Sequence, residues 1–233
     1  MKTILLSVTA LMAGSLAAAY ADPAGDVTSA AQKLSSGANY SWRTTVVVPE
    51  GTRFRPGPTD GKEAGNLTDV KMTMRDNHVE IIMNGTNTVL TDPDDGTWEK
   101  LSDVDTQGSG RYMTYMVRDF RAPAAQAVDL ASDAQSLQQS GNSYSGALTE
   151  DGAKKFLPFG RGRRGGNASV TNPSGMVTFW IDNGQLTKFE YHVKGTVTFN
   201  GNDRPIDNDT TVEIKDVGTT QIQVPDDAKK LMQ

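Results

Sequence analysis

The chain has 233 residues, with 28 acidic and 23 basic side chains, a formal net charge of −5, a hydrophobic fraction of 36% and no cysteine. That balance speaks against a nucleic-acid binder, which needs a clustered basic surface to meet phosphates. Without cysteine there is no disulfide framework, thiolate metal site, nucleophilic thiol or acylated terminal cysteine. The 23 glycines and 10 prolines point to many turns, and the length suits one sizeable domain able to bury a core.

Residues 1–21 have the pattern of a cleaved signal peptide. Lys2 supplies the positive start, Ile4 to Leu16 is an uncharged apolar run, and Ala19-Tyr20-Ala21 is a small-x-small cleavage site before Asp22. The expected mature chain, residues 22–233, forms a single domain. No later stretch approaches the ~18 apolar residues of a membrane span. A soluble periplasmic or extracellular protein is therefore expected.

The mature chain opens with Val27, Ala30, Ala31 and Leu34 at helical spacing, with Asp26 placed to cap and Gly37 to stop the helix. Trp42, Thr44, Val46 and Val48 then alternate as a first strand ended by Pro49. Glu50 to Asn66, rich in proline and glycine, reads as a long irregular loop. Val70, Met72 and Met74 alternate up to a turn at Asp76-Asn77, and Val79, Ile81 and Met83 return. Val89 and Leu90 add a short strand before the Asp92–Gly96 reversal and Trp98.

The period then changes. Met113, Met116, Val117 and Phe120 lie at i, i+3, i+4 and i+7, so Arg111 to Phe120 reads as an amphipathic helix. Pro123 starts a second helix, carried through Val128, Leu130, Ala134 and Leu137 to Gly141. Ser143 to Leu148 reads as a strand, and Thr149 opens a short helix that closes before Pro158. Phe159 to Asn167, with Arg161, Arg163 and Arg164, is a glycine-rich basic loop.

The strongest pattern comes last. Val177, Phe179 and Ile181 alternate up to Asn183-Gly184, and Phe189, Tyr191 and Val193 resume the alternation, which makes a hairpin. Gly195 breaks that run, Gly201 to Asp209 is a polar turn, and Val212 with Ile214, then Ile222 with Val224, give two more strands. The whole reads as an α+β fold, a curved antiparallel sheet with inserted helices over its concave apolar face.

Two runs carry a family resemblance: Gly175 to Leu186, G-x-V-x-F-W-I-D-N-G-x-L, and Val212 to Ala228, V-E-I-K-D-V-G followed by I-x-V-P-D-D-A. With the layout of helix, hairpins, helical insertion and meander, the chain resembles the periplasmic lipoprotein-carrier and lipoprotein-like superfamily, which includes mycobacterial lipid-transfer lipoproteins. The resemblance implies an unclosed β-barrel with lid helices over a cavity for acyl chains. This chain lacks the anchoring cysteine of the lipid-transfer members, and it has no match to the carrier's early Arg-Pro strand.

The candidate ligand-facing residues are Trp42, Val46, Met72, Met74, Ile81, Met83, Met113, Met116, Val117, Phe120, Phe179 and Tyr191. Methionine side chains adapt to varied apolar ligands, and the same residues would equally make a plain core. Asp92, Asp94 and Asp95 resemble a loose calcium cluster but lack the closing glutamate, so they read as a turn. The only histidines, His78 and His192, belong to no triad or zinc motif. The expected protein is a monomer and not an enzyme, without metal or cofactor. Its partner is a lipid or acylated protein, with transient contact to a membrane or a membrane-bound protein. The alternative is an envelope interaction or sensor module on the same fold with a filled core.

Overall fold

A computed structural model describes residues 22–36, 39–52, 55–74, 77–105, 107–157 and 169–233. The expected signal peptide, the Asp76 turn position and the Arg161–Arg164 loop lie outside the described residues. Eleven strands form one antiparallel sheet in the order β6-β5-β4-β3-β2-β1-β11-β10-β9-β8-β7. The two end strands, β6 and β7, are not hydrogen-bonded to each other, so the sheet is an unclosed barrel.

The first helix, α1 (Pro23–Ser35), buries Val27, Ala30, Ala31 and Leu34. Its cap is Asp22 rather than Asp26: the Asp22 Oδ1 accepts from the Gly25 amide at 3.0 Å, which leaves Asp26 in the first turn, where it complements the helix dipole. Four strands follow: β1 (Tyr40–Val47), β2 (Thr59–Ala64), β3 (Leu67–Met74) and β4 (Asn77–Asn84). Strand β2 corrects the expectation of an irregular loop over residues 50–66. Its sequence, TDGKEA, shows no apolar alternation because its central inward position is Gly61. The Trp42 indole fills the space a side chain there would need.

Strands β5 (Asn87–Thr91) and β6 (Trp98–Lys100) complete this half of the sheet. Helices α2 (Gly108–Arg118) and α3 (Pro123–Asp133) follow. The second helix ends earlier than its spacing predicts, because Ala134 begins β7 (Ala134–Ser140), which pairs with β8 (Ser143–Leu148) across a turn at Gly141. A bulge between Gln135 and Gln138, with Ser136 at φ 46°, breaks the alternation that would have revealed this strand. Helix α4 (Glu150–Phe156) is capped by the Thr149 hydroxyl, which accepts from the Gly152 amide at 2.9 Å.

Three long strands close the chain: β9 (Ser169–Asp182), β10 (Gln185–Phe199) and β11 (Asn202–Lys215). Asn183 and Gly184 take φ 52° and 73°, as the two-residue turn demands. The polar tract at 201–209 is mostly strand rather than turn. The reversal is confined to Asn200 and Gly201, and β10 runs through Gly195 with a register shift beside it. Strand β1 pairs with β11 only from Asp209 to Lys215. The other end of β11 therefore projects past β1, which relieves it of an apolar pattern. Ile222 and Val224 form no strand; they lead into α5 (Asp226–Leu231).

Register makes the concave face continuous. One row runs Leu90, Ile81, Val70, Gly61, Trp42, Ile214. The next runs Val79, Met72, Thr59, Thr44, Val212, Phe189, Phe179, Tyr144. Helices α1, α3 and α4 pack over the β7–β10 side, where Phe179, Leu186 and Phe189 are fully buried. On the opposite face Ile82 and Val89 pack with Ala228 of α5 in a second, smaller cluster. Replacing Gly61 with valine should drive the Trp42 indole from its place and lower stability by about 1–3 kcal/mol, read as a lowered urea midpoint with altered tryptophan fluorescence.

Candidate functional site

The sheet's inward residues are buried unevenly. Trp42, Ile81, Met113 and Phe179 are at most 4% exposed. Met72, Met83, Met116, Val117, Phe120 and Tyr191 are half-buried and pack against the same cluster. These ten candidate residues, drawn from five strands and one helix, thus share one apolar assembly. Val46 is half-buried in a neighbouring row, with Thr210 and Tyr191 beside it across β11 and β10. Met74 ends β3 opposite Asn77.

Helix α2 reaches the wall through its apolar side. Met113 is buried, and Phe120, just beyond the helix, packs with its ring tilted 6.3 Å from that of Trp42, which in turn lies 5.7 Å from Tyr40. The outer side carries a different set. Arg111 and Arg118 both lie over the Tyr115 ring, at 5.5 and 5.0 Å, and Arg111 donates to the Tyr115 hydroxyl. No acidic residue supports its first turn, and no side chain caps it. Local interactions therefore hold α2 less firmly than α1 or α4.

Two features of this wall were missed in the sequence. Phe156 at the end of α4 packs in a tilted geometry 5.2 Å from Tyr191, extending the half-buried patch from the helix side. Nothing in the seven residues of α4 is periodic enough to reveal it. The fully buried Tyr40 donates to Glu63 Oε2 at 2.6 Å across β1 and β2. Burial and the Glu63 carboxylate push the Tyr40 phenol up, so it stays neutral and donates. The pair lay hidden because Glu63 falls in the stretch read as loop.

The Asp92–Gly96 segment is the expected turn. Asp92 Oδ1 accepts from the amides of Asp94 and Asp95 at 2.7 and 3.3 Å, which commits that carboxylate to its own loop. His192 lies between Asp207 and Asp209, at 3.2 and 2.8 Å.

A separate titratable feature lies on the outward face, since Asp69 alternates with the buried Val70. Asp69 is 4% exposed, and its Oδ1 has no hydrogen-bond partner. Burial, reinforced by the Glu80 carboxylate, pushes its carboxyl up to about 6 from the usual 3.8. The folded chain therefore favours the protonated form. This contribution is fully present below about pH 4 and is lost as pH rises through about 6, leaving a cost of about 2–3 kcal/mol above that. Asp69→Asn should raise stability near pH 8 and flatten the decline between about pH 4 and 7, as measured by denaturant midpoints across that range.

Together these elements define a half-barrel with an apolar concave wall and a helix laid over part of it. In overall fold the chain is similar to the crystal structure of the Mycobacterium tuberculosis lipoprotein LppX, with 14% identity and a TM-score of 0.46 over 87% of this chain and 98% of that one. It is also similar to LprF from Mycobacterium bovis, with 11% identity and a TM-score of 0.45 over 88% and 96% of the two chains. No family model matches the sequence, and no curated protein does.

Proposed function

We propose that the mature chain, residues 22–233 after removal of a signal peptide, is a single-domain carrier of the cell envelope. It binds a lipid, a lipoprotein acyl chain or another hydrophobic ligand between the sheet and α2. The observation that carries this reading is the half-buried belt of Val46, Met72, Met116, Val117, Phe120 and Tyr191, apolar surface that the helices leave incompletely covered. An acyl chain laid along it would gain about 25 cal/mol per Å² of apolar surface removed from water. Part of that gain would be spent displacing α2. Unbranched methionines on both sides of the gap let the wall repack around chains of different shape. The reading assigns no catalytic group, metal or cofactor.

The filled depth of the wall favours a second reading. Trp42, Ile81, Met113 and Phe179 are sealed, as in an interaction module whose own side chains occupy the cavity. Native mass spectrometry of the protein purified from an envelope fraction separates the two. A carrier shows a discrete adduct of lipid mass, and Met116→Asp with Phe120→Asp abolishes it while the circular-dichroism spectrum persists. A bare mass for the wild-type protein, with no uptake of fluorescent fatty acid or phospholipid, rejects the carrier.

A further inference from the structure

The outward face of the sheet holds a cleft of about 230 Å³ over β1, β2 and β3, on the side away from the apolar wall. Its lining includes Arg43, Lys62, Asp69, Lys71 and Lys215. Most of these charges are already matched. Arg43 meets both carboxylate oxygens of Asp60 at 3.1 and 3.2 Å, Lys71 meets Glu80 at 3.3 Å, and Lys215 meets Glu213 at 2.9 Å. Lys62 and Asp69 are the exceptions. They face each other in register across β2 and β3, yet among the described residues they form no ion pair within 4.0 Å.

An unpaired carboxyl this deeply buried is costly, and a lysine one strand away would be the simplest remedy. The fold leaves the Asp69 Oδ1 without a hydrogen-bond partner and the exposed Lys62 ammonium to water, beside a space that holds on the order of seven waters. We propose that this cleft binds a small zwitterion, whose ammonium meets the Asp69 carboxylate and whose carboxylate or phosphate meets Lys62. Charge-assisted hydrogen bonds at both ends would satisfy the unpartnered Asp69 oxygen and replace water at Lys62. The volume suits an amino acid or a phosphorylated amine. Its charged residues alternate along β1–β3 with those of the proposed lipid wall, and Trp42 and Gly61 border both.

Amide chemical-shift titrations of the full mature protein test this with phosphoethanolamine and serine, which carry both charges, and with inorganic phosphate and ethanolamine, which carry one each. Saturable shifts at Gly61, Lys62 and Asp69 are expected for the two-charge probes, with affinity at least about tenfold above either one-charge probe. Lys62→Gln, an exposed change that spares the fold, and Asp69→Asn should each weaken binding about tenfold or more. Vesicles containing phosphatidylethanolamine, compared with the soluble headgroup, identify whether the zwitterion arrives free or on a lipid. Absence of saturable shifts with every probe, or equal binding by wild type and Lys62→Gln, overturns the proposal.

Discussion

The pairing of β1 with β11 is the constraint on which the rest of the architecture depends. Residues 41–47 lie against 209–215, antiparallel and in unbroken register. On one side of this seam lie β2 to β6, built from successive hairpins, and on the other lie β10 to β7. Without it the chain would hold two separate hairpin stacks, each with half of the concave face. The seam sets Trp42 opposite Ile214 and Thr44 opposite Val212, so the apolar rows cross it without a step. Forming it closes a loop of more than 160 residues, an entropic cost that each hairpin within a half avoids.

Once the two halves are joined, the concave face is covered in two different ways. Over β7 to β10 the cover is small-residue helix on aromatic sheet. Ala30, Ala31, Ala124, Ala127 and Ala131 let α1 and α3 approach closely, above Phe179 and Phe189. Toward β1 the cover is α2, whose buried contribution centres on Met113 and on Phe120 against Trp42. One side is thus close-packed by residues with little freedom, the other by longer and softer side chains under α2. That contrast places the adaptable part of the wall beside the seam, rather than in the long β9–β11 strands.

Wherever a strand buried one face against the core, its alternation was visible in the sequence. Val70, Val79 and Ile81, and Val177, Phe179 and Phe189, all turn inward as their period requires, and both positive-φ residues of the Asn183-Gly184 turn take the expected conformation. Legibility failed where packing is done by an absence or by a partner distant in sequence. Strand β2 presents a glycine to the core because Trp42 of another strand occupies that space. Strand β7 carries a bulge, and its only deeply buried apolar residue is Leu137. Apart from Ile206, which packs against the core, residues 202–208 carry no apolar pattern because they extend beyond β1. Of the candidate site, the residues that cluster were readable from helix and strand period. Whether each is sealed or half-covered depends on helix placement, which no local pattern encodes. Asp69 was invisible for the same reason: a carboxylate between Thr68 and Val70 reads as solvent-facing, and its burial comes from the strands paired beside it.

The gap between β6 and β7 has a mechanical consequence. In a closed barrel, strand number and stagger fix the radius, and widening the interior means breaking backbone hydrogen bonds. Among the described residues no ladder spans the gap, so the curvature of the sheet is a compliant coordinate, resisted by side-chain packing and strand twist. The interior can swell or shrink while every rung of the ladder stays intact. The helices act as a spring that sets the resting radius, and the bulge in β7 with the three-residue length of β6 keeps the two lips of the opening from zipping onto each other or onto a second sheet.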